Sequence, residues 1–118
     1  HLLIIPKKHI PTLSHCSEDD AALLGEMMAL IPKLAREEGI AVSGTETGTP
    51  QGGFRVVVNT GPDGKQDVYH MHIHLMGGPR PWKTLIEYSR KKRHTIQYAL
   101  FFTGSGSPVF SWKAFCRR

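Results

Sequence analysis

Cysteine is scarce in this chain, with Cys16 and Cys116 the only two among 118 residues. They stand far apart and no secretory signature precedes them, so neither a disulfide framework nor a cysteine metal cluster is indicated. A cytoplasmic, reducing compartment is the expectation. Long apolar runs are also missing. The opening "HLLIIP" is too short to span a bilayer and lacks the basic flank of a signal peptide, so a soluble protein is expected. There is no initiator methionine, which reads as a fragment or a misplaced coding start. The length excludes a second independent domain.

Acidic residues nearly vanish after Trp82. Residues 1–82 hold 7 Lys/Arg against 9 Asp/Glu, whereas residues 83–118 hold 8 against 1, so the net charge of +5 belongs to the tail. Basicity of the whole domain is therefore no argument for nucleic-acid binding.

Between these limits the chain has clear punctuation. "HLLIIP" reads as a strand stopped by Pro6. "SEDDAALLGEMMALIPKLAREEG" reads as a helix from Ser17 to Gly39, with Ser17 as N-cap, Glu18, Asp19 and Asp20 favoured by the dipole in the first turn, and Gly39 as the stop. Leu24, Met27, Met28, Ile31 and Leu34 define its apolar face, and Pro32 is expected to kink it or weaken its last turns. Residues 43–53 read as a flexible polar connection. "FRVVVN", Phe54 to Asn59, reads as a second strand, joined through "TGPDGKQD" to an adjacent antiparallel third. Gly61 and Gly64 in that loop permit backbone conformations that aim N–H groups inward at phosphate oxygens, although a plain turn has the same composition.

The third strand carries the chemistry. "VYHMHIHLMGG" places His70, His72 and His74 at alternate positions, hence on one face, with Tyr69, Met71, Ile73 and Leu75 on the other. Lining up three imidazoles costs free energy unless each finds a partner, so ordinary strand residues are a poor explanation. Two explanations remain open on spacing alone: a metal site, and a histidine nucleophile with histidine helpers.

These residues resemble the histidine triad family, whose signature is His-x-His-x-His followed by apolar residues, here Leu75 and Met76. "HLLIIPKKHIPTLS", "FRVVVNTGPDGKQDVYHMHIH" and "GGPRPW" extend the likeness over residues 1–82 and are similar to the HINT branch of purine nucleoside phosphoramidases. The resemblance implies an α+β domain, an antiparallel sheet with one principal helix, lacking two strands that normally precede "HLLIIP" and so leaving a sheet edge unpaired. It implies that His72 attacks the α-phosphorus of a nucleotide, that His70 orients His72 through its backbone, that His74 helps hold the phosphate, and that His1 lies at the same site. It assigns Asn59, Lys65, Gln66 and Asp67 to nucleotide binding. It implies no cofactor and no metal, since the family pattern places no further ligand to complete a coordination sphere. Lys65 stands where family members often have glycine, and Asp67 where many have serine or threonine; an ionised Asp67 would repel a phosphate, so it is expected to point away, to pair with an imidazolium or to act protonated, pairing being the most economical of the three.

The expected reaction is hydrolysis of a purine nucleoside 5′-phosphoramidate to the monophosphate and an amine. Alternatives are hydrolysis of a dinucleoside polyphosphate, and a non-catalytic nucleotide-binding or regulatory protein. A homodimer is implied by the resemblance, with Trp82 at the subunit junction and with the helix and "FRVVV" as candidate surfaces. Residues 83–118 read as a basic extension outside the domain, non-native or disordered; its alternative reading is a nucleic-acid arm using Arg90 to His94 with Tyr88, Tyr98, Phe101 and Phe102.

Overall fold

A computed structural model describes residues 1–78, together with the backbone of strands 98–102 and 108–109. "PRPW" and Arg90 to His94 with Tyr88 lie outside the described residues. The elements run β1 (Leu2–Pro6), two single-turn 3₁₀ helices (Leu13–His15 and Glu18–Asp20), α1 (Ala21–Glu37), β2 (Phe54–Val57), β3 (Ile73–Gly77), β4 (Tyr98–Phe102) and β5 (Pro108–Val109). One sheet holds them in the order β2-β3-β1-β4-β5. β3 is antiparallel to both β1 and β2, whereas β4 runs parallel to β1. The architecture is the expected α+β arrangement of a sheet with one principal helix.

The core forms between α1 and the sheet. Leu2 and Ile4 of β1, Ile73 and Leu75 of β3, Met71 just before it, and Met27, Ile31 and Leu34 of α1 are all buried in one cluster. Alternation along β1 and β3 sends these side chains one way and His74 the other. Burial of each is worth about 1.5–3 kcal/mol, which is what fixes the register of β3 and hence the histidines.

Several expectations are corrected. The N-terminal turn is a 3₁₀ turn in which the Ser17 N–H donates to Asp20 Oδ2 at 3.0 Å, and Lys8 bridges the other carboxylate oxygen at 2.6 Å. That ammonium holds the Asp20 carboxyl below its ordinary range. α1 then runs unbroken through Pro32. Pro32 and Met28 are both exposed, so the hydrogen bond that proline removes falls on the solvent side, where water can serve the Met28 carbonyl. Met28 is 55% exposed rather than part of the packed face, and Leu30 and Ala35 are buried there with Met27, Ile31 and Leu34. Residues 43–53 form an ordered turn closed by a bridge between Ser43 and Gln51, with Gly44 at φ +73°. The second edge of β1 is not unpaired, because β4 occupies it from Leu2 to Pro6. Among the described residues no helix is long and apolar enough to cross a membrane.

Candidate active site

β3 hydrogen-bonds only from Ile73 onward, so of the three alternating histidines only His74 lies within the strand. His70 and His72 lie in the irregular segment leading into it, yet the alternation persists: Met71, Ile73 and Leu75 are buried, and the three histidines are half-buried. Tyr69, expected on the buried face, is 48% exposed because the pattern starts only at Met71.

Each ring is fixed by a specific partner. His70 Nε2 lies 2.8 Å from the Pro6 carbonyl oxygen at the end of β1, so Nε2–H donates. His72 Nδ1 lies 2.7 Å from the His70 carbonyl oxygen, so Nδ1 carries the proton. The remaining nitrogen, Nε2, then holds a free lone pair. His72 and His74 pack edge to face with ring centroids 4.9 Å apart. His74 Nδ1 meets His1 Nε2 at 2.9 Å, which brings His1 into the cluster from the start of β1. Burial, reinforced by His72, pushes the His74 pKa down to about 4, so its ring is neutral near pH 7. These contacts join His1, His70, His72 and His74. Asn59 is half-buried and lies two residues past the end of β2, beyond the paired register.

The loop residues behave differently from one another. Gln66 is 5% exposed, and its side-chain amide donates to the Pro11 and Val68 carbonyls and accepts from the Gly61 N–H, at 2.7, 3.0 and 3.0 Å. That amide is a clasp joining the loop to the β1 side of the domain. The backbone N–H groups of Lys65 and Gln66 donate to the Pro62 and Gly61 carbonyls. Three N–H groups of the loop, at Gly61, Lys65 and Gln66, are therefore engaged within it and not aimed at a ligand. Gly64 is required for another reason: a Cβ there would strike the Thr60 backbone.

Lys65 takes φ +61°, and among the described residues it is the non-glycine residue with positive φ. That conformation costs an L-residue roughly 1–2 kcal/mol. The position retains the backbone of a glycine while carrying a cation. Asp67 is exposed and, among the described residues, forms no ion pair with a histidine. Pairing with an imidazolium is therefore not seen among the described residues, and the exposed residue agrees with the alternative in which Asp67 points away.

His9 joins the histidines without any local sequence signal. Its Nε2–H donates to the Tyr69 carbonyl at 3.2 Å, and its ring meets His70 edge to face at 5.0 Å. The contact spans sixty residues of chain, so only the β1–β3 pairing brings the two together. Among the described residues no group of three or more His, Cys, Asp or Glu is placed to hold a metal ion.

Comparison with known proteins gives concordant findings. The HIT domain family model matches residues 1–80. Protein HitA of Neisseria gonorrhoeae is 40% identical over 79 residues, covering 67% of this chain and 64% of that protein. An uncharacterized HIT-like protein of Chlamydia trachomatis is 49% identical over 78 residues, covering 66% and 61% respectively. The chain thus spans less than two thirds of these relatives' length. Among solved structures, the HIT family hydrolase of Legionella pneumophila superposes with a TM-score of 0.55 at 42% identity, covering 66% of this chain and 62% of that one.

Proposed function

The chain belongs to the HIT family, and from that premise we propose that it is a nucleotide hydrolase acting on purine nucleoside 5′-phosphoramidates. His72 Nε2 donates its lone pair to the α-phosphorus, forming an N–P bond as the P–N bond to the leaving amine breaks. The amine departs with a proton taken up from solvent, and the water that attacks in the next step returns one proton to solvent. Water then attacks the same phosphorus, the His72–phosphorus bond breaks, and the nucleoside monophosphate is released with the imidazole restored. Covalent catalysis divides one difficult displacement into two easier ones.

The single observation that carries this reading is the 2.7 Å contact between His72 Nδ1 and the His70 carbonyl, which fixes the tautomer a nucleophile needs. His74 fits a supporting role. To present Nε2–H to a phosphate oxygen it must accept at Nδ1, with His1 Nε2 as donor, and the 2.9 Å contact allows that arrangement. A neutral donor of this kind stabilises charge developing on the phosphate without competing for the phosphorus.

A homodimer and a cytoplasmic location are part of the proposal. Ala21, Ala22, Gly25, Met28, Ala29 and Pro32 are all exposed on α1, so the helix offers an apolar outer face as well as its packed inner one. A helix apolar on both sides is ordinarily covered. The scarcity of cysteine suits a reducing compartment.

The test is release of adenosine monophosphate from adenosine 5′-phosphoramidate by the purified chain beside His72→Ala. Release that disappears in the variant supports the hydrolase. Equal release by both, or none from the folded chain, rejects it.

A further inference from the structure

His9 touches the histidine cluster yet takes no part in the displacement at phosphorus. Its place in the chain explains what it holds. The β1–β3 ladder ends at the pair Ile4 and Ile73, so residues 69–72, which include His70 and His72, lie outside the strand. Individual bonds to residues 6–10 tie that stretch instead. The Met71 N–H donates to the Ile10 carbonyl at 2.7 Å, the His70 ring donates to the Pro6 carbonyl at 2.8 Å, and the His9 ring donates to the Tyr69 carbonyl at 3.2 Å. Each segment thus sends one histidine ring to the other's backbone.

The bonds converge on two successive peptide groups. The group between His70 and Met71 supplies the carbonyl that receives the His72 Nδ1 proton at 2.7 Å, and its N–H is the one held by Ile10. A peptide engaged at both ends is polarised, which strengthens its carbonyl as an acceptor. The group between Tyr69 and His70 is held at its carbonyl by His9. Peptide groups are planar, so fixing both planes fixes the two backbone angles of His70 and with them the direction of its carbonyl. The His9 ring also meets the His70 ring edge to face, with centroids 5.0 Å apart. Exposed itself, His9 adds little to the core.

We infer that His9 is a positioning residue: its Nε2–H, donated to the Tyr69 carbonyl, holds the backbone that keeps His72 in its nucleophilic tautomer. This rests on the hydrolase reading above and deepens it at the same site. A histidine side chain free in water favours the proton on Nε2, so the His70 carbonyl is what keeps the His72 proton on Nδ1 and leaves the Nε2 lone pair open. Loosening that carbonyl puts the proton on the attacking nitrogen.

Two substitutions separate the donor from the ring. His9→Phe keeps a flat ring and removes the N–H, whereas His9→Gln keeps an N–H donor and removes the ring. For each, kcat and KM for monophosphate release from adenosine 5′-phosphoramidate are measured well below the melting temperature. Nitrogen NMR spectra of the isotope-labelled full chain in mildly alkaline buffer report which nitrogen of His72 carries the proton, with His72→Ala identifying its signals. In His9→Phe, kcat is expected to fall about 3- to 10-fold with KM little changed, as the Nε2–H form of His72 appears, and both are expected to recover in His9→Gln. A purely structural role would lower the melting temperature without moving the tautomer. Unaltered kcat in His9→Phe, a loss accompanied by an unchanged tautomer, or a loss that His9→Gln does not restore overturns the inference and leaves the hydrolase intact. Without His72-dependent release from the unaltered chain the hydrolase reading falls instead, and the tautomer comparison alone then decides whether His9 positions the ring.

Discussion

His72 Nδ1 and the carbonyl oxygen of His70, two residues apart, are joined at 2.7 Å, while the His70 ring is itself held by the Pro6 carbonyl at 2.8 Å. The nucleophile is thus oriented through a backbone group whose own position depends on a side chain. His70→Ala keeps the carbonyl and loses the clamp to β1. We expect kcat to fall about 10- to 100-fold with KM much less affected, since small misplacements of a reacting group carry penalties of that order. Steady-state kinetics checks this, and an unaltered kcat would show that the clamp is not used.

His74 makes stability depend on pH. Its pKa is lowered to about 4 in the folded chain from an ordinary 6.5, so between these values the unfolded chain binds more protons. The contribution of the neutral buried ring is complete above about pH 6.5 and is lost as pH falls toward 4. Thermal melts across this window should show the melting temperature falling with pH, and His74→Asn should flatten that part of the profile.

Gln66 is the loop's clasp. Gln66→Ala strands the Pro11 and Val68 carbonyls and the Gly61 N–H, so we expect a loss of about 1–3 kcal/mol. Denaturant unfolding measures it.

The outer face of α1 gives a separate expectation. Met28→Glu places a charge among Ala21, Ala22, Gly25, Ala29 and Pro32, all exposed, and leaves the packed face untouched. Sedimentation should show a dimer for the unaltered chain and a monomer for the variant. A monomer in both cases removes the dimer from the account.

Much of the scaffold was legible because it follows from short-range pattern. The alternation of "LLIIP", the capped run from Ser17 and the β-branched "FRVVV" each announce their element, and Gly39, at φ +68°, does end the helix. The alternation of burial through the histidine segment was also legible, although only His74 is in a hydrogen-bonded strand. What escaped depends on contacts between distant segments. His9 meets His70 only because β1 and β3 pair, and β4 reaches the edge of β1 from beyond Trp82. Gln66 and Asp67 were assigned by resemblance to the same nucleotide-binding role. The fold separates them: one side chain turns inward to three backbone partners and the next remains in solvent. No local pattern distinguishes those two fates.

The proposed mechanism requires His72 to become covalently bound to phosphorus during turnover. The most direct measurement is the intact mass of the chain, rapidly mixed with adenosine 5′-phosphoramidate and quenched at mild alkaline pH to preserve the phosphorus–nitrogen bond. An adenylyl adduct that maps to His72, forms as fast as product appears and is absent in His72→Ala is the expected result. Monophosphate release at full rate with no adduct at any time would mean that water attacks directly, and would contradict that mechanism.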